Sequence, residues 1–313
     1  MIAEGHDLIT MGRVGVDLYP ETVGVPLDEV SGFHRFLGGS ATNVAVAAAR
    51  YGRNSAVITR TGDDPFGRYV HRALGEFGVD DGFVSAVPGL PTPVVFCEIF
   101  PPDDFPLYFY RYPKAPDLEI HPEQLDLAAI RATGIFWATG TGLCAEPSRT
   151  STLTALRTRE HREHTILDLD YRPMFWANES EARAVIGAAV SHVTVAVGNL
   201  AECEIAVGTD DPDRAADELL ARGVRLAVVK QGPKGTLART ASEQVVVPPI
   251  PIEVVNGLGA GDAFGGALCH GLLAGWELER TIRFANAAGA LVAGRLACAD
   301  AMPNEAEVGE LLR

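Results

Sequence analysis

Cysteine is scarce in this sequence, and the five present lie far apart from one another. None belongs to a CxxC pair, which argues against a disulfide framework or a zinc site. No run approaches the roughly 20 apolar residues of a membrane span. Residues Met1 to His6 lack the basic and apolar segments of a secretory signal. These absences predict a cytoplasmic protein, without a membrane partner, whose thiols are buried and unpaired.

Basic residues are also fewer than acidic ones. Lys and Arg number 26 against 41 Asp and Glu, which gives a formal net charge of −15. No basic cluster interrupts this excess of acid, so neither nucleic acid nor an anionic membrane is an expected partner. Any phosphate ligand would have to be held by local backbone dipoles and a few cations.

The remaining composition is that of an ordinary globular protein, with 313 residues of which 47% are hydrophobic. Strand-like apolar runs cover residues 7–11, 55–61, 134–139, 165–169, 193–197 and 224–230. Helix-like stretches cover 43–51, 65–77, 179–190, 212–222, 261–274 and 277–294, and another begins near Pro147. This alternation predicts a single α/β domain over 1–313, with a doubly wound, mostly parallel sheet and helices on both faces.

Two regions, about 13–37 and 92–112, break the alternation. They contain short strand-like runs joined by turn-forming residues, without an intervening helix. We therefore expect a small β-lid that projects from the main sheet.

The most informative segment is the glycine-rich stretch 256–262, which follows the strand-like run 252–255 and opens an apolar helix. Its glycines allow a tight turn that points several N–H groups to one spot, at the positive end of the helix dipole. Beside such an anion site, Asp262 could accept the proton of an alcohol that attacks phosphorus, while Gly259, Ala260 and Gly261 stabilise the phosphoryl oxygens. The alternative is a glycine turn with a helix-capping Asp.

A second glycine turn, Gly38 and Gly39, opens another helix that carries Asn43. Paired glycines permit the close approach of a polyhydroxylated ligand, and an Asn amide both donates and accepts hydrogen bonds. The alternative is an Asn cap after a glycine loop.

Residues 140–145 match the dinucleotide fingerprint GxGxxA, and Asp168 and Asp170 end the next strand. A nicotinamide site is therefore an alternative, although one such match in a glycine-rich chain is weak. A Walker A sequence and an HExxH motif are both absent. His161 and His164 stand among charged residues and are expected at the surface.

Two further strand ends carry polar groups. Asn199 and Glu202 could orient a hydrated Mg²⁺ near phosphates, with Glu202 acting through water, or could form a plain helix cap. Lys230, followed by turn glycines Gly232 and Gly235, suits nucleotide phosphates but also describes many hairpins.

Five segments occur in order along the chain. They are Gly12 to Asp17 after the first strand, GGSATN (38–43), NLAE (199–202), KQGPKG (230–235) and GAGD (259–262). Together they resemble the ribokinase/phosphofructokinase-B family of carbohydrate kinases over nearly the whole chain. The resemblance implies a ribokinase-like fold, ATP, Mg²⁺ and a homodimer formed through the β-lid.

Within this family, segments 36–52, 96–111 and 168–176 look most like the branch that phosphorylates the C6 hydroxyl of 5-dehydro-2-deoxy-D-gluconate in myo-inositol catabolism. The resemblance assigns Asp17, Gly38, Gly39 and Asn43 to the sugar hydroxyls. It places the remaining candidates on the nucleotide side, namely Asn199, Glu202, Lys230, Gly232, Gly235 and Asn286.

An acid substrate also follows from two arginines, Arg111 on the lid and Arg172 after a strand end, whose fork-shaped donors suit a carboxylate. Arg111 could instead be a surface charge, and Arg172 could pair with Asp170. Many relatives carry Asp-Thr before GAGD, near a potassium ion. This chain has Asn256 and Gly257 there, so the monovalent cation is left open.

Three alternatives to this substrate stay open. The first is a related kinase for 2-keto-3-deoxygluconate or for a neutral sugar such as ribose or fructose. The others are a nicotinamide-dependent oxidoreductase that uses residues 140–145 and a non-catalytic sugar sensor. The intact Asp262 argues against a sensor.

Overall fold

The computed structural model describes residues 5–313, so most of the segment considered for a secretory signal lies outside the described residues. The strands in chain order are β1 (Leu8–Met11), β2 (Gly15–Pro20), β3 (Phe33–Gly38), β4 (Ser55–Gly62), β5 (Val84–Val87), β6 (Val94–Cys97), β7 (Leu107–Tyr110), β8 (Ile135–Thr139), β9 (Thr165–Asp168), β10 (Val195–Asn199), β11 (Leu226–Lys230), β12 (Thr236–Arg239) and β13 (Gln244–Val247). The helices are α1 (Ser40–Arg50), α2 (Pro65–Glu76), α3 (Leu127–Ala132), α4 (Ser148–Thr158), α5 (Glu179–Val190), α6 (Leu200–Val207), α7 (Pro212–Ala221), α8 (Ala260–Leu273), α9 (Leu278–Ala293) and α10 (Glu305–Leu311).

Nine strands form the central sheet, in the order β13-β12-β11-β10-β9-β8-β1-β4-β5. The pairs from β11 through to β5 are parallel, and the pairs β11–β12 and β12–β13 at one edge are antiparallel. Strand β1 lies between β8 and β4, from which the chain winds outward in both directions. Because helices cover both faces, the inner strands are apolar on both sides. The predicted doubly wound, mostly parallel α/β fold is confirmed.

The hydrophobic core is divided by this sheet into two clusters. Along β1, Leu8 belongs to the cluster under α1, α2, α8, α9 and α10, whereas Ile9 belongs to the cluster under α3 to α7. Neighbouring residues of a strand point to opposite faces, so the strand supplies both clusters in turn. Because the strands are parallel, their carboxyl ends lie along one edge of the sheet, between the two layers of helices.

A second sheet of four strands, in the order β3-β2-β6-β7, stands at that end of the molecule. Its strands coincide with the two regions in which the sequence predicts a β-lid. Tyr19, Val95 and Cys97 form a small apolar cluster on this sheet together with Cys298, and Leu258 packs against it. The sheet therefore covers the loop that leads into α8.

Helices α1 and α8 pack closely on one face of the central sheet. A side chain at Gly266 in α8 would place its Cβ 2.3 Å from Ala47 Cβ in α1, so only glycine permits this approach. As both helices begin at a glycine turn, their packing brings the two predicted turns to the same place.

One predicted strand, residues 252–255, is wrong: the segment is irregular. It follows Pro248, Pro249 and Pro251, which lack the N–H groups that a strand donates. Val255 and Asn256 instead donate their backbone N–H groups to Ala293 O, at the end of α9. All five cysteines are buried free thiols, as predicted. Among residues 5–313, no helix is both long and apolar enough to cross a bilayer.

Candidate active site

A cavity of about 220 Å³ opens where the carboxyl ends of the parallel strands meet the second sheet. Crevices at this edge of an open α/β sheet are the usual position of ligand sites. Residues that the sequence singled out form much of its wall, namely Asp17, Gly39, Asn43, Arg172, Glu202, Lys230, Gly259, Gly261 and Asp262. Five carboxylates and three cations face this space.

Asp262 lies in the first turn of α8, at the glycine turn. Gly259 caps the helix with φ 81°, a left-handed conformation that favours glycine. The first intrahelical bond runs from Ala263 N–H to Gly259 O, so the N–H groups of residues 260–262 have no partner within the helix. Free N–H groups and a carboxylate therefore converge at one end of the cavity, as the sequence predicts.

Two donors from α1 hold the Asp262 carboxylate. Ser40 Oγ donates to Oδ1 over 2.9 Å, and Asn43 Nδ2 donates to Oδ2 over 2.8 Å. Burial raises the pKa of Asp262, and these two hydrogen bonds oppose the rise. The result is a fixed carboxylate with an increased basicity, which suits a general base for an alcohol. Asn43 Oδ1 is buried without a hydrogen-bond partner in the described chain, and it remains free to accept from a substrate hydroxyl.

Asp17 enters the cavity from β2, opposite the end of β3. A side chain at Gly38 would place its Cβ 2.2 Å from Asp17 Oδ1, so Gly38 makes room for this carboxylate and does not line the cavity itself. The pKa of Asp17 is raised to about 6, mainly by burial. The charge of Asp262 adds to the rise, and the charge of Arg13 opposes it. A carboxylate that lines a cavity and has a pKa raised by the loss of water points to ligand binding.

Replacing Asp17 by Asn is expected to stabilise the fold above pH 6. Because the pKa of Asp17 is raised in the folded protein, its ionisation begins to oppose folding as the pH rises past the ordinary value of 3.8, and it does so fully above about 6. The stability gain of Asp17→Asn over wild type should be larger at pH 8 than at pH 4 by about 2 kcal/mol. Urea unfolding at both pH values measures this difference, and an equal gain at both would contradict it.

Two nucleotide-side candidates, Glu202 in the first turn of α6 and Lys230 at the end of β11, lie close to Asp168 at the end of β9. Burial raises the pKa of Asp168 well above its ordinary value, and Lys230 opposes this. Burial would lower the pKa of Lys230, but the carboxylates Asp168, Glu202, Asp262 and Asp170 raise it overall. Lys230 therefore keeps its positive charge among these carboxylates. The phosphate chain of a nucleotide would need such a cation.

Asn199 and Glu202 form a capping box at the start of α6, so the helix-cap alternative applies to both residues. Asn199 Oδ1 accepts from Glu202 N–H over 2.9 Å, and Glu202 Oε2 accepts from Asn199 N–H over 2.7 Å. Glu202 nevertheless lines the cavity, and its Oε1 has no partner within residues 5–313. An oxygen of this kind fits a hydrated Mg²⁺, which keeps several of its waters. No group of three or more metal-ligating side chains occurs in that range.

Four nucleotide-side candidates lie outside the cavity, namely Asn199, Gly232, Gly235 and Asn286. Gly232 and Gly235 belong to the turn that joins β11 to β12, the hairpin alternative. Asn286 on α9 ties the helix to this edge of the sheet: Thr236 Oγ1 donates to its Oδ1 over 2.8 Å, and its Nδ2 donates to Pro248 O over 3.1 Å. That Gly232, Gly235 and Asn286 contact a bound nucleotide stays a prediction.

Arg111 is not brought to the cavity either. It lines a separate apolar groove, donates from Nη2 to Asp117 Oδ2 over 2.8 Å and stacks on the Phe175 ring. Asp117 is buried and the Arg111 side chain is only 10% exposed, so neither alternative from the sequence describes it. The structure places this guanidinium in a buried ion pair next to the predicted site.

Arg172 both lines the cavity and pairs with Asp170, whose Oδ1 accepts from Arg172 Nε over 3.1 Å. Asp170 Oδ2 accepts from Thr141 Oγ1 over 3.0 Å. Thr141 belongs to the GxGxxA segment, which is a buried turn whose hydroxyl is already bonded. That turn is absent from the wall of the cavity, which argues against the nicotinamide alternative.

Among the polar residues that line the cavity, the sequence reasoning missed Arg13, Tyr19 and Ser40. Arg13 follows the carboxyl end of β1, where ligand-binding side chains are expected in this fold class, so its position was an available signal. Tyr19 faces inward only because the second sheet folds over the cavity. Ser40 contacts Asp262 through the packing of α1 on α8.

The chain is similar to known proteins in both sequence and structure. A family model described as pfkB family carbohydrate kinase matches residues 6–305. A 5-dehydro-2-deoxygluconokinase of Photobacterium profundum is 35% identical, over 96% of this chain and 92% of that protein. Another of the same name from Geobacillus kaustophilus is 31% identical, over 98% and 93%. A Vibrio cholerae fructokinase, solved with fructose, ADP and a calcium ion, superposes with a TM-score of 0.84 at 26% identity over 98% and 99%.

Proposed function

Since this chain belongs to the pfkB family of carbohydrate kinases, we propose that it transfers the γ-phosphoryl group of ATP to the C6 hydroxyl of 5-dehydro-2-deoxy-D-gluconate. The supporting observation is the Asp262 carboxylate, fixed by two hydrogen bonds beside free N–H groups and facing a cavity of sugar size. The substrate follows from the names of the curated relatives.

In this proposal Asp262 accepts the proton of the C6 hydroxyl as the hydroxyl oxygen attacks the γ-phosphorus. The bond from that phosphorus to the oxygen shared with the β-phosphate breaks, and ADP leaves. The N–H groups of Gly259, Ala260 and Gly261 stabilise the oxygens of the transferring group, which carry the developing charge. Asp17 and the free Oδ1 of Asn43 accept hydrogen bonds from sugar hydroxyls and orient the chain. The second sheet excludes water, the competing acceptor of the phosphoryl group.

On the nucleotide side, Lys230 is the cation nearest the acids Asp168 and Glu202 and would contact phosphate oxygens. Mg²⁺, held by ATP and through water by Glu202, would neutralise phosphate charge that the carboxylates of the cavity cannot. A monovalent cation is not part of the proposal. Asn256, which replaces the family's usual Asp, is buried, donates to Leu296 O over 2.6 Å and accepts from Leu258 N–H over 3.0 Å.

The proposed setting is the cytoplasm, and the proposed assembly is a homodimer through the second sheet. Strand β7 is an edge of that sheet, and Tyr108 and Tyr110 on it are 45% and 64% exposed. An unpaired edge with exposed aromatic side chains invites pairing with a second copy. Replacing Tyr110 by Lys should shift the sedimentation coefficient from dimer to monomer, and a wild-type monomer at micromolar concentration would refute the assembly.

Release of ADP across a panel of sugars tests the function. The panel contains 5-dehydro-2-deoxy-D-gluconate, 2-keto-3-deoxygluconate, ribose and fructose, each with ATP and Mg²⁺. We expect the first to give the highest kcat/KM. A neutral sugar that exceeds both acids would show that the cavity serves the neutral-sugar kinases of the same fold, and ADP release with none of them would reject the proposal.

A further inference from the structure

Arg13 is a buried cation on the wall of the cavity. It is 8% exposed and belongs to the loop that joins β1 to β2, the strand that carries Asp17. Its Nε is buried and makes no hydrogen bond, and within residues 5–313 no carboxylate forms an ion pair with its guanidinium. A buried guanidinium donor left without an acceptor is costly, because it has lost water and gained no hydrogen bond.

The backbone that carries Arg13 is held firmly in place. Thr42 Oγ1 donates to Arg13 O over 3.2 Å, from the first turn of α1. A side chain at Gly39 would place its Cβ 2.3 Å from the same oxygen, so the turn before α1 packs directly against this residue. The guanidinium itself lies over the Phe109 ring of β7, 5.4 Å from its centre. Arg13 is therefore positioned from both sides, by the central domain and by the second sheet.

The other two cations of the cavity lie close to carboxylates other than Asp17. Arg172 donates to Asp170, and the carboxylates Asp168, Glu202 and Asp262 raise the pKa of Lys230. Arg13 lies near Asp17, whose pKa it lowers in part. A bidentate acceptor of negative charge, which enters the cavity with the substrate, would satisfy these donors.

We propose that Arg13 binds the carboxylate of the sugar acid and so determines the preference for an acid over a neutral sugar. This inference rests on the function proposed above. It assigns to Arg13 the role that the sequence predicts for Arg111 and Arg172. Arg111 instead pairs with Asp117 outside the cavity, and Arg172 pairs with Asp170. In the substrate the carboxylate is at C1 and the reacting hydroxyl at C6. Arg13 would therefore bind one end of the chain while Asp262 acts at the other.

The experiment compares kcat/KM for 5-dehydro-2-deoxy-D-gluconate with that for an analogue in which a hydroxymethyl group replaces the carboxylate. We expect wild type to prefer the acid and Arg13→Met to lose roughly 10- to 100-fold of that preference, the effect of a hydrogen-bonded charge pair. The KM for ATP should stay unchanged. Arg13→Lys, which keeps the charge but not the fork, should fall between the two.

Arg60→Met is the matched control, because Arg60 is similarly buried at 5% exposure but lines a different cleft. It should keep the acid preference of wild type. Thermal melting establishes that each variant is folded, and if Arg13→Met is not, Arg13→Lys decides. An unchanged acid preference in folded Arg13 variants overturns the inference alone. A wild type that does not phosphorylate the acid overturns the proposed function and the inference with it.

Discussion

Asp262→Asn is expected to reduce kcat by about 10²–10⁴-fold, the range for loss of a general base. The amide is nearly isosteric with the carboxylate but cannot accept the proton of the attacking hydroxyl. Ser40 and Asn43 would lose a charged acceptor, so some further loss from poorer positioning is expected. Initial rates of ADP release at saturating sugar and ATP measure the change.

Binding measurements separate this effect from damage to the fold. Titration of ATP into Asp262→Asn by calorimetry should give a dissociation constant close to that of wild type, because Lys230 and Glu202 are untouched. Asp300→Asn serves as a control, since Asp300 also has a pKa raised by burial but lies outside the cavity. A folded, ATP-binding Asp262→Asn with near-normal kcat would remove Asp262 from the chemistry.

Arg159→Met is expected to lower the free energy of unfolding by roughly 3–5 kcal/mol, because several acceptors lose a charged donor and each such hydrogen bond contributes about 1.5–3 kcal/mol. Arg159 is 1% exposed, and its guanidinium donates to one hydroxyl, Thr165 Oγ1, and to five backbone carbonyl groups. The carbonyl groups are those of Ile130, Arg131, Thr133, Gly134 and Glu163. Methionine fills much of the space but donates to none of the six acceptors, of which the Arg131 carbonyl group keeps a second donor, Arg162 Nη1.

Arg162→Met is the matched control for this substitution. Arg162 is three residues away and exposed, and it donates to the same Arg131 carbonyl group over 3.0 Å. Urea unfolding should show a change within about 0.5 kcal/mol for Arg162→Met, as for most surface positions. If Arg159→Met unfolded at the same urea concentration as the control, the six hydrogen bonds would contribute little to stability.

These two arginines also show where sequence patterns stop being informative. Both belong to a charged segment around His161 and His164, which reads as solvated surface. Arg159 is nevertheless buried, because the end of α3, the turn that leads into β8 and the segment before β9 present their carbonyl groups to it. Such a set of acceptors is assembled from residues up to 29 positions away, and no local pattern contains it.

The site residues divide in the same way. Asp262 and Asn43 were predictable, since each follows a glycine turn at a helix start, and the local chain fixes their position. The position of Arg13 after β1 was also a signal, but the local chain could not decide between Arg13 and Arg111. Choosing between them requires knowledge of which guanidinium the second sheet turns toward Asp117 and which it leaves facing the cavity.

The amino-acid order by itself determined the alternation of strands and helices, the parallel sheet and the two glycine turns, because each depends on periodicity or on backbone freedom over a few residues. Only the tertiary structure decided which charges are paired and which are left for a ligand. Pairing is a matter of distance and solvent exclusion between segments remote in the chain, and these exist only once the two sheets have come together.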